Sequence, residues 1–168
     1  MEVPGQNDET AAEKNRLEKF TGPHQIEMES WISCAPYEGL LHMKIVEAVD
    51  GKAILTMPFL MHFAQGAGLM HGGALISLAD TALVMAIKSI LPPYTHFATT
   101  HVEARYLKPV KQGNVTAQAK LTGRQDRVIT GEVSLYNESE EQVLTFTAQF
   151  KIARDARLKQ VTFSDDRE

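Results

Sequence analysis

Between residues 72 and 90 the sequence GGALISLADTALVMAIKSI contains no proline and is apolar on almost every side. Ala74, Leu75, Leu78, Ala79, Ala82, Leu83, Met85, Ala86, Ile87 and Ile90 cover most of a helical wheel. A helix of that kind has to be enclosed, and a sheet curved around it is the element that can cover most of its circumference. Pro92 and Pro93 stop it, because proline lacks the amide hydrogen and its ring clashes with the preceding turn. The flanking sequence supplies the sheet. Before the helix, Leu41, Met43 and Ile45 alternate with His42, Lys44 and Val46, then Ala53, Leu55 and Met57 alternate with Ile54 and Thr56. Asp50-Gly51 between these runs predicts a tight hairpin, since both residues tolerate positive φ. After the helix come alternating runs at 97–107, 115–122, 128–136 and 143–152, joined at 124–127 and 137–142 by connections short enough for an antiparallel meander. The predicted fold is α+β, a long central helix wrapped by a curved antiparallel sheet of about six strands.

A chain of 168 residues with 43% apolar content can bury one core. The expected division is a polar N-terminal arm with some helix at 1–35, the folded domain at 36–153 and a charged tail at 154–168. A formal charge of -4 without Lys/Arg blocks argues against general affinity for nucleic acid or an anionic membrane. The longest apolar-rich segment, 74–87, is interrupted by Ser77, Asp80 and Thr81 and is too short to span a bilayer. The first fifteen residues lack the apolar stretch of a secretory signal, and the single Cys34 can form no internal disulfide, so a soluble cytoplasmic protein is expected. Cys34 has no motif placing a base beside it and reads as a small hydrophobe. There is no Gly-x-Ser-x-Gly elbow, and the six histidines form no metal-ligand pattern, so neither metal nor cofactor is expected.

The helix carries one polar stripe, Ser77, Asp80, Thr81 and Lys88, at helical spacing. Among Leu78, Ala79, Ala82 and Leu83 a carboxylate is costly to bury without a partner. Asp80 is therefore either a functional group or a core polar residue satisfied by Ser77 or Thr81. Ahead of it, His71-Gly72-Gly73 combines a turn that backbone can approach closely with the unpaired amides at the positive end of a helix, which can hold a developing oxyanion. The same glycines also fit a purely structural entry turn.

Gln65, His71-Gly72-Gly73-Ala74 and Ser77-Leu78-Ala79-Asp80-Thr81-Ala82 together read Gln-x5-His-Gly-Gly-x6-Asp. This resembles the PaaI-like (phenylacetic acid degradation) branch of the hotdog-fold acyl-CoA thioesterases. The segment Thr99-Thr100-His101-Val102-Glu103-Ala104-Arg105-Tyr106-Leu107-Lys108-Pro109 is similar to that family's third strand. The resemblance covers about residues 36–153 and implies a hotdog fold, an acyl-CoA substrate carrying an aryl or medium-chain acyl group, and a homodimer that pairs into tetramers. It also implies Asp80 as general base or nucleophile, the Gly72 amide as oxyanion donor, and Gln65 as the residue orienting thioester or water. Thr99 would lie near the attacking water, and His71 would shape the turn. His71, Gly73 and Thr81 are expected at the substrate, and Lys108 and Arg124 are candidates for the coenzyme A phosphates on position and charge.

Asp80 follows Gly72 by eight residues, about 12 Å along a helix, too far for both to act on one carbonyl carbon. The two should come from different subunits. A hotdog dehydratase or hydratase is the nearest alternative, because His62-Phe63 is similar to the His-Phe of acyl-carrier-protein dehydratases, and a non-catalytic acyl-CoA-binding protein is another. His101, Glu103 and Arg105 read as a solvated or interface charge row.

Overall fold

The computed structural model describes residues 26–154. The alternating runs are strands and the apolar run is a helix. In chain order come a short helix α1 (Pro36–Leu40), β1 (Lys44–Val49), β2 (Lys52–Pro58), one 3-10 turn (Met61–Phe63), the central helix α2 (Gly72–Lys88), β3 (Phe97–Tyr106), β4 (Asn114–Gln125), β5 (Val128–Tyr136) and β6 (Gln142–Ile152). All six strands pair antiparallel in one sheet of order β1-β2-β4-β5-β6-β3. This is the hotdog arrangement, with α2 packed against the sheet.

At the first hairpin Asp50 and Gly51 take φ values of 47° and 73°, the left-handed pair that a tight turn between twisted strands requires. The Gly51 N–H donates to Ser89 Oγ at 2.9 Å, which ties this turn to the C-terminus of α2. The helix ends at Lys88, two residues short of the expected 90, and Ser89, Ile90 and Leu91 close it by donating to the Met85 and Ile87 carbonyls. After the helix, β4, β5 and β6 form the expected meander. β3 does not join it in chain order: it pairs with β6 and becomes the edge opposite β1. Alternation reports which side chains share a face and carries no signal of which strands are neighbours.

Leu78, Ala79, Ala82, Leu83, Met85, Ala86 and Ile87 of α2 are all at most 1% exposed and form one cluster with Leu55, Met57, Val115, Ile129, Leu135, Phe146 and Phe150 of the sheet. Burying each large side chain contributes about 1.5–3 kcal/mol. Helix and sheet pack tightly at Gly131 on β5, where an added Cβ would collide with Leu83 Cδ2 and stand 3.1 Å from the Lys120 carbonyl oxygen. Leu83 is fully buried and has nowhere to retreat. Gly131→Ala is expected to destabilise the fold by about 1–3 kcal/mol, read as a lower urea midpoint at an unchanged denaturant slope.

The folded core begins earlier than the expected boundary at residue 36: Ile32 and Cys34 pack against it. The Cys34 Sγ donates to the Met43 carbonyl at 3.6 Å, and burial pushes its thiol pKa up, as befits a packing residue. Residues 1–25 of the arm, where some helix is expected, and all but the first residue of the tail lie outside the described residues. Among the described residues no helix is long and apolar enough to cross a membrane.

Candidate active site

The N-terminus of α2 is closed by its own first residues. His71 is the N-cap: its Nδ1 accepts the Gly73 N–H at 2.9 Å, and its carbonyl accepts from Ala74 at 3.0 Å and Leu75 at 3.4 Å. An accepting Nδ1 places the proton of a neutral imidazole on Nε2. The Gly73 amide, expected to face substrate, is therefore consumed by the cap. The Gly72 N–H has no acceptor among the described residues and sits at the positive end of the helix dipole. Gly72 also has a steric reason to be glycine, since a Cβ there would stand 2.7 Å from the Tyr106 hydroxyl oxygen and 3.0 Å from its Cζ.

Gln65, Met70, Gly72, Tyr106 and Lys108 are among the residues lining a cleft of about 380 Å³. The Gln65 side chain is held by its own turn: Oε1 accepts the Ala67 N–H at 2.5 Å, and the backbone is fixed by Gln65 N–H to the Leu69 carbonyl and Gly68 N–H to the Gln65 carbonyl, both 2.8 Å. With the oxygen engaged, the side chain can offer its amide hydrogens to a ligand.

Asp80 lies halfway along α2 and is half-buried. Neither expected structural partner holds it. Ser77 Oγ donates instead to the Gly73 carbonyl at 2.9 Å, and Thr81 is 5% exposed, buried in the core and offering almost no open surface to a ligand. The partner is Thr99, whose Oγ1 donates to Asp80 Oδ1 at 3.0 Å and lies 3.3 Å from Oδ2. Burial pushes the Asp80 pKa above the ordinary carboxylate range, the Thr99 hydrogen bond holds it back, and the charge of Glu38 pushes it further up.

Thr99 and Tyr106 are seven positions apart, an odd number, so in a regular strand they would point to opposite faces. β3 carries a bulge between Thr99 and His101. The extra residue reverses the alternation, so that Thr99 reaches Asp80 while Tyr106 covers Gly72. Beyond the bulge His101, Glu103 and Arg105 share the other face and are exposed, in keeping with a solvated charge row. These two contacts also run β3 antiparallel to α2. They keep Asp80 and the Gly72 amide at separate places on the helix, about 12 Å apart.

The two phosphate candidates are not brought together within one chain. Arg124 pairs with Ile129 at the end of the sheet where β3 begins, whereas Lys108 follows the other end of β3. The ten residues of β3 separate them by about 30 Å. Lys108 Nζ donates to Glu141 Oε1 at 2.6 Å and holds the Glu141 carboxyl below its usual range. Tyr106 and Tyr37 went unnoticed in the sequence as site residues. The bulge that turns Tyr106 inward has no periodic signal, and the Tyr37 hydroxyl, 2.8 Å from Ser77 Oγ, reaches the helix from forty residues away.

The thioesterase superfamily matches residues 67–144, which contain the helix start, Asp80 and Thr99. A Bacillus subtilis protein whose name gives it as an esterase, ComA2, is 29% identical over 104 residues, which span 61% of this chain and 82% of that protein. The Escherichia coli PaaI protein, from the phenylacetic acid degradation operon, superposes with a TM-score of 0.66 at 22% identity, over 71% of this chain and 85% of that one. A Streptococcus pneumoniae protein described as a hypothetical thioesterase, solved with coenzyme A, superposes with a TM-score of 0.61 at 20% identity, over 66% of this chain and 85% of that one. At these identities the structural likenesses speak for the fold. With the six-stranded sheet around one helix, they show that this chain has the hotdog fold, of which residues 67–144 are similar to the thioesterase superfamily.

Proposed function

We propose that the protein hydrolyses the thioester of an aryl- or medium-chain acyl-CoA to the free acid and coenzyme A, with Asp80 of one subunit and the Gly72 amide of the other acting on one carbonyl. The observation that carries this is the pair of unspent groups on α2: a half-buried carboxylate fixed by one hydroxyl, and a helix-terminal N–H without an acceptor among the described residues. Asp80 is hydrogen-bonded by Thr99 of β3, and Gly72 lies against Tyr106 of the same strand. β3 is exposed along most of its length, with Val102 at 45% and Tyr106 at 54%, and Leu107 just beyond its end is 45% exposed. An edge strand of that length is a template for pairing with a second copy. Such pairing would bring one chain's Gly72 toward the other's Asp80.

In the general-base course, Asp80 takes a proton from water, the resulting hydroxide attacks the carbonyl carbon, and the oxyanion is held by the Gly72 N–H. Collapse restores the carbonyl and breaks the carbon–sulfur bond; the thiolate leaves, taking its proton from Asp80 or solvent. In the nucleophilic course, an Asp80 carboxylate oxygen attacks the carbonyl carbon, the carbon–sulfur bond breaks and the coenzyme A thiolate leaves to take a proton from solvent. Water then hydrolyses the mixed anhydride to the free acid and the restored Asp80 carboxylate. The phenylacetic acid operon of the PaaI neighbour and the coenzyme A of the streptococcal one support an acyl-CoA substrate.

Free-thiol release from a panel of aryl and aliphatic acyl-CoAs tests the reading, and no release from any member would refute it. Within that assay Gln65→Ala should slow turnover by about 10- to 100-fold, since it removes one orienting hydrogen bond while the base remains. A loss larger than that of Asp80→Asn would mean that the principal residue is Gln65.

A further inference from the structure

The segment before β1 is unused by this chemistry, yet it crosses the polar stripe of α2 at two anchors. Trp31 Nε1 donates to the Lys88 carbonyl at 2.9 Å, and Lys88 Nζ lies 5.0 Å from the centre of the Trp31 ring. At the other anchor the Tyr37 hydroxyl meets Ser77 Oγ at 2.8 Å. Ser77 has one hydroxyl proton and it goes to the Gly73 carbonyl, so Tyr37 is the donor in this pair. Asp80 sits between the anchors, three residues after Ser77 and eight before Lys88. α1 therefore lies beside the stretch of helix that carries the carboxylate.

This short helix contributes nothing to the core: none of its residues is buried, and Tyr37 is 55% exposed. It is nevertheless held firmly. Pro36 starts it, and the Ala35 N–H donates to Glu38 Oε2 at 3.0 Å. Tyr37 is thus fixed at its backbone by the cap and at its tip by Ser77, with a flat apolar ring left open one helical turn from Asp80.

We infer that Tyr37 is a specificity-determining residue of the acyl site, a wall that favours flat aromatic acyl groups over flexible alkyl chains. The inference rests on the thioesterase reading for placing the acyl carbon at Asp80. A planar acyl group stacks offset on a ring already held in place, whereas an alkyl chain must give up its own rotational freedom to lie there.

Calorimetry with two thioethers that cannot be hydrolysed, S-phenacyl-coenzyme A and S-octyl-coenzyme A, tests it on the full chain. The phenacyl-over-octyl affinity ratio should fall about tenfold or more in Tyr37→Leu, and about two- to fivefold in Tyr37→Phe, where the ring remains but its tip is loose. An unchanged ratio in Tyr37→Leu overturns the assignment, as does binding of neither thioether by the wild type. Should Tyr37→Leu fail to fold, an unchanged ratio in Tyr37→Phe overturns it. Because the probes need no hydrolysis, a Tyr37-dependent ratio in a protein that releases no thiol from acyl-CoA would sink the hydrolase reading and leave this one standing.

Discussion

Asp80→Asn should fold, dimerise and lose thioester hydrolysis by about 10²- to 10⁴-fold, because the amide keeps the shape of the carboxylate but can neither accept a proton nor attack. Thiol release at saturating acyl-CoA measures it, and retention of even a tenth of wild-type turnover would remove Asp80 from the chemistry. The pH profile of the wild type carries a second expectation. Burial raises the Asp80 pKa above its ordinary value, and the carboxylate must be ionised to act, so the acid limb of kcat/KM should lie above the usual carboxylate range. Thr99→Val removes the hydrogen bond that lowers this pKa and should move the limb to higher pH. Glu38→Gln removes a negative charge that raises it and should move the limb to lower pH. The sign for stability is opposite to that of a salt-bridged carboxylate. With the folded pKa raised above the unfolded one, the native state binds the proton more tightly, so stability is lost as pH rises from the unfolded to the folded pKa. Asp80→Asn, which carries no charge to desolvate, should therefore melt no lower than wild type at neutral pH. Lower melting together with lost activity would point to a structural role for the carboxylate.

The sequence was most legible where a single local pattern decides the outcome. The apolar wheel at 72–90 demanded an enclosed helix, and Asp50-Gly51 demanded a turn with positive φ; both are found. The motif from Gln65 to Asp80 stood out as a candidate site because a carboxylate and adjacent glycines are unusual on an otherwise apolar helix. What could not be read depends on contacts between distant parts of the chain. The neighbour of β3 is β6, settled by how the sheet closes over the helix and not by any residue within β3. The partner of Asp80 is Thr99 because a bulge shifts the alternation by one, which a period-two reading cannot contain. The Gly73 amide looked as available as that of Gly72 until the His71 ring was placed, and only the fold shows which of two adjacent donors is spent. Lys108 and Arg124 were paired on position along the sequence and charge, and the sheet puts them at opposite ends.

Two inactive variants should restore each other. If one site takes its amide from Gly72 of one chain and its carboxylate from Asp80 of the other, a dimer of Gly72→Val with Asp80→Asn has one site carrying both lesions and one site carrying neither. Gly72→Val is suited to the purpose because its side chain must displace Tyr106, which is 54% exposed and has room to swing aside, so the lesion falls on the cleft rather than on the core. After complete subunit exchange half of the dimers are mixed, each with one intact site of two, and activity should return to about a quarter of the wild-type level if the sites work independently. Each variant alone should stay inactive. The alternative, both groups acting within one chain, makes the opposite forecast, since every chain in the mixture would then carry a broken site and mixing could restore nothing. Exchange itself is followed by mass spectrometry of differently tagged chains, so that an inactive mixture with demonstrated heterodimers counts against the shared site. In that event the carboxylate and the amide would have to meet within a single helix whose geometry holds them about 12 Å apart, and one of the two assignments would have to be abandoned.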